Sequence, residues 1–273
     1  MPVNRNHNLN EHILILIATL EFVTAHDLTA VTQAETIRIT AILKELTDDK
    51  LIESTWLPAE TAEKGTWVYF LSTRGARVAG KLMNERVIRP RIDDRVSLML
   101  HHRAAISQVV SSLAAALGFY RLELCLVGSR LRAVMKSSSL KNIYFPDAHI
   151  AFAIRAQNKC FTRHVFLEID RGTERKRQLV AKLNALSQYY LQDHQRLFRT
   201  DRLLLAVTVP SEARLQTIAS VVHESKCRVR VFAALDSQLH SKDQALGSWI
   251  DCSSGGQKHL LQVPENPVGG LPK

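Results

Sequence analysis

The sequence lacks several features that would place it in a well-marked class. Its four cysteines stand far apart without a CxxC pair, which argues against a disulfide framework and against a zinc site of the usual spacing. The apolar run Ile13–Leu20 is too short to span a bilayer, and His101, His102 and Arg103 interrupt the longer run Leu98–Phe119. We therefore expect a cytoplasmic protein without a membrane partner.

Catalytic and cofactor signatures are scarce as well. There is no glycine-rich phosphate loop, no dinucleotide fingerprint and no Ser-His-Asp set. Aromatic residues make up only 6% of the chain, so stacking on single-stranded bases is not strongly indicated. Basic residues, by contrast, are abundant: 36 Lys and Arg against 26 Asp and Glu give a net charge of +10. This surplus favours a polyanionic partner, because neutralising phosphates releases counterions.

Residues 1–95 show the element order of a winged helix-turn-helix followed by a basic linker. Apolar residues recur at helical spacing in Glu11–Phe22 and Thr36–Lys50, and a short helical segment lies between them at Asp27–Val31. Two strands joined by a polar stretch follow, the second at Trp67–Leu71. We therefore predict an N-terminal winged-helix DNA-binding domain.

The helix that begins near Thr36 is the predicted recognition element, because such helices place polar side chains against base edges in a major groove. Further contacts are expected from the wing and from a basic segment in the second half of the chain. The DNA-binding candidates are Gln33, Thr36, Arg38, Thr40, Lys64, Arg171, Arg175 and Arg177. The domain also carries acidic residues such as Glu45 and Asp48, so a winged helix used for protein contacts or dimerisation stays open.

Residues 96–240 predict an α/β domain, which makes the whole chain α+β. A long helix is expected first, followed by short strands and then by alternating helices and strands. The predicted strands are Arg121–Val127, Arg132–Met135, Ala148–Ile154, His164–Ile169, Arg202–Val209 and Arg228–Ala233, and the predicted later helices are Thr173–Leu191 and Ser211–Glu224. This order indicates a mixed sheet with helices packed on it. Glycine and proline predict a flexible tail over residues 241–273.

Three carboxylates are expected to meet at one edge of this sheet. Glu168 and Asp170 are two residues apart at the end of an apolar strand, so their side chains leave the same face, and Asp147 begins the neighbouring strand. Oxygen ligands of this kind suit Mg²⁺ or Mn²⁺, and such an ion could polarise a phosphodiester. The alternative is that Glu168 and Asp170 pair with nearby arginines in a surface ion-pair network.

Several segments resemble motifs of the replication-relaxation family, over roughly residues 11–235. They are Phe166–Glu174 with Lys182-Leu183 and Tyr189-Tyr190 downstream, Pro146–Ala148, Leu71–Ala76 and His102-Arg103. The resemblance implies a protein of a plasmid or integrative element that takes part in replication, DNA relaxation and mobilisation. The arrangement is also similar to relaxases of the MOB-C class, which implies a restriction-endonuclease-like domain of the PD-(D/E)xK type.

That second similarity implies Asp147 and Glu168 as metal ligands and a lysine that assists catalysis. The motif's strand lysine is replaced by Asp170, and Lys182 on the following helix is the candidate for a migrated lysine. We therefore take Asp147, Glu168, Asp170 and Lys182 as the candidate catalytic set, with the three acids as metal ligands. Tyr189 and Tyr190 remain either a covalent nucleophile or core aromatics. His101 and His102 diverge by about 100° on a helix, so one of them is expected to be buried rather than a ligand.

Two functions follow as expectations. The first is a metal-dependent DNA-nicking endonuclease or relaxase of a mobile element, which binds double-stranded DNA at an origin-like site and is used in conjugation. It could act as a homodimer or with other transfer proteins of the element. The second is a non-catalytic replication accessory protein or transcriptional regulator, in which the nuclease-like domain is degenerate.

Overall fold

The structure, a computed structural model, describes residues 8–59, 65–90, 97–117, 122–136, 138, 144–156, 159–200, 202–225, 227–239, 244–258 and 260, with the backbone alone at 97–98, 154–156 and 159–161. Its elements form a mixed α+β fold with one seven-stranded sheet and one two-stranded sheet, as the sequence predicts. Within the described residues, no helix combines the length and apolar composition that a membrane crossing requires.

Three helices, a hairpin and a fourth helix form the N-terminal part. They are α1 (Leu9–Leu20), α2 (Ala25–Thr32), α3 (Thr36–Asp48), β1 (Ile52–Leu57), β2 (Thr66–Leu71) and α4 (Thr73–Met83). Side chains of Asn8 and Thr24 accept hydrogen bonds from backbone N–H groups three residues on, so α1 and α2 each begin with a capping box. The element order matches the predicted one, and its interpretation as a winged helix stays a prediction.

The second part is built around the seven-stranded sheet. Its elements are α5 (Ser97–Leu117), β3 (Leu122–Val127), α6 (Gly128–Met135), β4 (Ala148–Ala156), β5 (Lys159–Ile169), α7 (Lys176–Tyr189), a π-helical turn (Tyr190–His194), α8 (Gln195–Phe198), β6 (Leu203–Val209), α9 (Glu212–Ser225), β7 (Arg230–Leu235), β8 (Trp249–Asp251) and β9 (Gln257–Lys258). The strand order is β3-β4-β5-β6-β7-β8-β9. Pairing is parallel between β5, β6 and β7 and antiparallel elsewhere.

Apolar side chains pack against both faces of this sheet. One buried cluster contains residues of α1, α3 and α5 together with one face of β3 to β7, so the core continues across position 96. A second cluster lies between the opposite face and helices α7 and α9, where Leu186 and Val221 meet Phe166 and Val231. Because helices cover both faces of the sheet, the ends of its strands stay accessible. Strands β5 and β6 lie near the centre of the strand order.

The prediction of a strand at Arg132–Met135 is wrong, because this segment belongs to helix α6. Leu131 and Met135, four residues apart, are both buried, as on one face of a helix. The helix begins at Gly128 with φ 51°. Beside it the Glu21 carboxylate accepts hydrogen bonds from the Ser129 N–H (2.9 Å) and hydroxyl (2.8 Å). This contact with a residue 108 positions away fixes the start of the helix.

Strands β8 and β9 lie in the segment that the sequence assigns to a flexible tail. Trp249 is completely buried, and its indole donates a hydrogen bond to the Ala245 carbonyl. The Asp251 carboxylate accepts from Arg230 and Lys258. Trp249–Lys258 thus belongs to the sheet, and residues 261–273 lie outside the described part of the chain.

Candidate functional site

The predicted carboxylates lie at the end of β5 and the start of β4. Because these strands are antiparallel, with Ala148 opposite Leu167, Asp147 comes beside Glu168. Both line a cleft of about 480 Å³ at this edge of the sheet. The cleft is lined by His102, Phe145, Asp147, Glu168, Ile169, Asp170, Arg171, Thr173, Glu174 and Lys182. All four predicted catalytic residues therefore border one space.

Asp147 is held by two hydrogen bonds. Its Oδ1 lies 2.9 Å from Nε2 of His102 on α5, and its Oδ2 accepts from the Ile169 N–H at 2.8 Å. The hydrogen bond to Asp147 raises the pKa of His102 even though burial of the ring lowers it. Asp147 therefore has a fixed orientation, and the pair with His102 places a proton-carrying ring on the wall of the cleft.

Glu168 is largely buried in the cleft, and its carboxylate also has two partners. Its Oε1 lies 2.5 Å from Nζ of Lys182, and its Oε2 accepts from the Tyr144 hydroxyl at 2.9 Å. Burial, followed by the negative charge of Asp147, raises the pKa of Glu168 to about 7. Glu168 thus lies in a poorly hydrated space beside a second carboxylate, and both conditions disfavour its ionised form.

Lys182 reaches the cleft from helix α7. Leu179 and Leu183 anchor that helix on the sheet, so the intervening position 182 lies at its edge and Nζ contacts both Glu168 and Glu174 at 2.5 Å. Burial lowers the pKa of Lys182, but the two carboxylates raise it overall. The ammonium therefore stays charged and lies between two acids, at the place where the sequence suggested a migrated lysine.

Asp170 differs from the other two acids, because both of its oxygens are engaged by one arginine. Arg214 on α9 donates from Nε to Oδ2 (2.6 Å) and from a terminal nitrogen to Oδ1 (3.1 Å), and Oδ1 also accepts from the Gly172 N–H (2.7 Å). Asp170 is only 5% exposed, so this is a buried ion pair rather than the surface network considered as the alternative. It fixes the turn that leads from β5 to α7.

The three predicted ligands do not form a cage. Among the described residues, no three His, Cys, Asp or Glu side chains are grouped so that they could hold a metal ion. Asp147 and Glu168 form the pair that faces the cleft together, whereas Asp170 is bound to Arg214.

The predicted DNA-binding residues fall into two groups. Gln33 at the end of α2 and Thr36, Arg38 and Thr40 at the start of α3 are all exposed. Arg171 lines the cleft, Arg175 and Arg177 are exposed at the start of α7, and Lys64 lies outside the described residues. The structure thus places one group on the N-terminal helices and the other beside the carboxylates.

The structure also decides between alternatives for the tyrosines. Tyr189 is completely buried and packs against Phe166, which is the core position that the sequence allowed, and its hydroxyl lies 3.4 Å from Nδ1 of His194. His101 lines a different cleft from the one that contains Asp147.

Sequence reasoning missed Tyr144, Glu174 and Arg214, and it expected one of His101 and His102 to be buried without assigning His102 to the cleft. Tyr144 stands three positions before Asp147, which is a signal that the sequence could have provided. Arg214 is 44 positions from Asp170, and nothing local connects the two.

Comparison with known proteins gives one match. The family model described as replication-relaxation matches residues 14–200, which is more than half of the chain and includes Asp147, Glu168, Asp170 and Lys182. Searches of the curated proteins and of the solved structures find no match.

Proposed function

Because the chain belongs to the replication-relaxation family, we propose that it nicks or relaxes the DNA of a plasmid or other mobile element with a divalent metal ion. The observation that carries the proposal is the pair Asp147–Glu168 with Lys182 in one cleft. This arrangement supports a nuclease-like site of the PD-(D/E)xK type and a relationship to MOB-C relaxases.

The residues of the cleft fit a hard cation. Mg²⁺ sites in phosphate-handling proteins use only one or two carboxylates, with water and substrate phosphates as the other ligands, so two acids are sufficient. The raised pKa of Glu168 fits as well, since part of it comes from the neighbouring charge of Asp147, which a cation would neutralise. Asp147 and Glu168 would hold the ion, and when bound it would polarise the phosphodiester and acidify a water molecule.

The chain's own residues then have separate tasks. His102 and the Ile169 N–H keep Asp147 oriented, and Tyr144 does the same for Glu168. Lys182 brings a positive charge to the cleft that can stabilise charge developing on a phosphate oxygen. Arg171 borders the same space, where it can bind a neighbouring phosphate of the backbone.

Exposed residues at the end of α2 and the start of α3 would position the protein on duplex DNA. Arg38 and Gln33 can contact base edges, and Thr36 and Thr40 can contact phosphates or bases. The N-terminal part would thus select the site, and the cleft would act on DNA beside it.

The test uses a supercoiled plasmid that carries the element's origin, incubated with Mg²⁺ or Mn²⁺. We expect wild-type protein to convert it to open-circular or relaxed forms, and Glu168→Gln and Asp147→Asn to lower the rate by about 100-fold or more, because several kcal/mol of metal-assisted stabilisation are lost. Glu224→Gln, which changes an exposed acid paired with Lys176, is the matched control and should keep the rate. Equal rates for wild type and both site variants would refute catalysis at this cleft.

A second candidate function is a non-catalytic DNA-binding factor. It is favoured by the full set of protein partners around Glu168, whose two oxygens are bound by Lys182 and Tyr144. This alternative predicts specific DNA binding that is unchanged by chelators and by the same two substitutions. A gel-shift titration with and without a chelator separates the two functions.

A further inference from the structure

Two of the three tryptophans lie together on the surface of the N-terminal hairpin. Trp56 of β1 and Trp67 of β2 are directly opposite each other, with ring centroids 5.4 Å apart in an edge-to-face arrangement. They are 49% and 50% exposed, whereas Trp249 is completely buried. Large aromatic side chains exposed side by side indicate a binding surface more often than isolated exposed residues do.

The position of the pair follows from the strand alternation. Ile52 and Leu71 lie on the same face of the hairpin as the two tryptophans, and the N-terminal helices bury them at the base of the hairpin. The opposite face carries Val68 and Phe70, which pack against α5. Trp56 and Trp67 therefore lie where the helices no longer cover the hairpin, near its outer end.

The backbone is built to hold the pair in place. A Cβ atom at Gly65 would come 2.6 Å from the Trp56 ring and 2.6 Å from the Leu57 carbonyl oxygen, so the ring lies against the glycine backbone. Trp67 contacts the same ring from the other strand. A ring fixed on two sides loses little conformational entropy when it binds a partner.

We propose that Trp56 and Trp67 form a stacking platform for unpaired nucleotides of the DNA on which the protein acts. The inference rests on the proposed function and names the form of nucleic acid involved. Aromatic rings stack on bases of any sequence, but only where those bases are not already stacked within a duplex. The chain as a whole carries a net charge of +10, and Arg171 lines a cleft that the hairpin residues Leu57, Gly65 and Thr66 also border, so a cation lies beside the outer end of the hairpin where a polyanion would pass. A chain poor in aromatics thus concentrates two of its tryptophans where opened DNA can reach them.

Intrinsic tryptophan fluorescence tests the proposal directly, because of the three tryptophans only Trp56 and Trp67 are exposed to a ligand. The full-length chain is titrated with an oligothymidylate and with a duplex of the same length, in a chelator so that metal-dependent nicking cannot contribute. We expect saturable quenching by the single strand that weakens as salt rises, and much less by the duplex. Trp249, whose indole is bonded to the Ala245 carbonyl, should not respond.

Substitutions of Trp56 and Trp67 test whether these two residues cause the quenching. Trp56→Leu and Trp67→Leu should each weaken oligothymidylate binding by about tenfold, measured by anisotropy of a labelled strand. Trp56→Phe keeps an aromatic face and should retain most of the affinity, which separates lost stacking from misfolding. Leu191→Ala changes another exposed apolar side chain and should have no effect.

Three outcomes would overturn the platform. They are absence of quenching by the single strand, equal quenching by single strand and duplex, or an emission change that depends on protein concentration alone and accompanies dimer formation in sedimentation. The last would show that a second copy of the chain covers the pair. Because no cleavage is measured, loss of nicking in the plasmid assay and loss of platform binding are distinguishable.

Discussion

Acidification should destabilise this protein through three buried histidines. His149, His164 and His194 lie between β4, β5 and the π-helical turn, and Nε2 of His149 lies 2.8 Å from Nδ1 of His164. Among the described residues, Nδ1 of His149 and Nε2 of His194 have no hydrogen-bond partner. The ring of Phe198 and the Tyr189 hydroxyl complete the surroundings. Such a site accommodates neutral imidazoles and has little to stabilise added protons.

The pKa of each ring is lowered in the folded chain, chiefly by burial. It falls well below the ordinary 6.5 for His149, to about 4 for His164, where Glu123 opposes the shift, and to about 3 for His194. Between about pH 6.5 and 4 the unfolded chain therefore binds protons that the folded chain does not, and stability falls as pH falls. From about pH 7 to pH 5 each histidine should contribute about 2 kcal/mol of lost stability.

Glu168 acts in the opposite direction, because burial and, second, the charge of Asp147 raise its pKa in the folded chain, so the folded chain takes up a proton near neutral pH. Its gain of about 2 kcal/mol over the same interval leaves a net loss of about 3 to 4 kcal/mol from these four groups, a large share of a typical unfolding free energy. His102, whose pKa is also raised in the folded chain, reduces this loss further. Urea unfolding at the two pH values measures this difference.

A substitution identifies the histidines as the cause. His149→Phe keeps the edge-on ring contacts with Phe166 and Phe198, and it should reduce the loss between the two pH values by about 2 kcal/mol whatever it does to stability at neutral pH. His223→Asn changes an exposed histidine and should leave the loss unchanged. If His149→Phe loses as much stability on acidification as wild type, the cluster is not the source.

Three further results are expected at the cleft and its support. Arg214→Ala leaves Asp170 buried without its cation and should lower the unfolding free energy by about 3–5 kcal/mol in urea titrations. Gly128→Ala adds a Cβ 2.0 Å from a carboxylate oxygen at a φ of 51°, and should lower it by about 1–3 kcal/mol in the same assay. Lys182→Met removes a cation from Glu168 and should raise the pKa of that carboxyl further, as followed by carbon NMR.

Local patterns were sufficient for most of the fold. The periodicity of α3 and α7, the alternation of β5 and the continuous apolar run of β6 each depend on neighbouring residues. They failed at Arg132–Met135, where four residues allow either a strand or a helix and the contact between Glu21 and Ser129 decides. Local patterns failed again around Trp249. The glycines of this segment predict a flexible tail, but the burial of Trp249 against the sheet holds the segment in place.

The candidate site was only partly predictable for the same reason. Asp147 and Glu168 are marked by strand ends, and the family resemblance adds Lys182, so these could be found in the sequence. The partners that orient them could not, because His102 and Asp147 meet only when α5 packs beside β4. Arg214 becomes the partner of Asp170 only through the packing of α9 on the sheet.

Under the proposed PD-(D/E)xK relationship, Asp170 stands where the motif has a lysine, and two helices accommodate this acid at the end of β5. Asp170 needs a buried cation and receives Arg214 from α9, while Glu168 receives Lys182 from α7. Asp170 is thus paired with Arg214, and Glu168 with Lys182. The positive charge that a lysine at position 170 would bring to the cleft is supplied by Lys182 on α7 instead. A lysine at 170 would place a second cation against Arg214 in a space from which water is largely excluded. Under the same proposed relationship, a lysine at position 170 and Arg214 are alternatives, and in this chain Lys182 on α7 supplies the cation of the cleft.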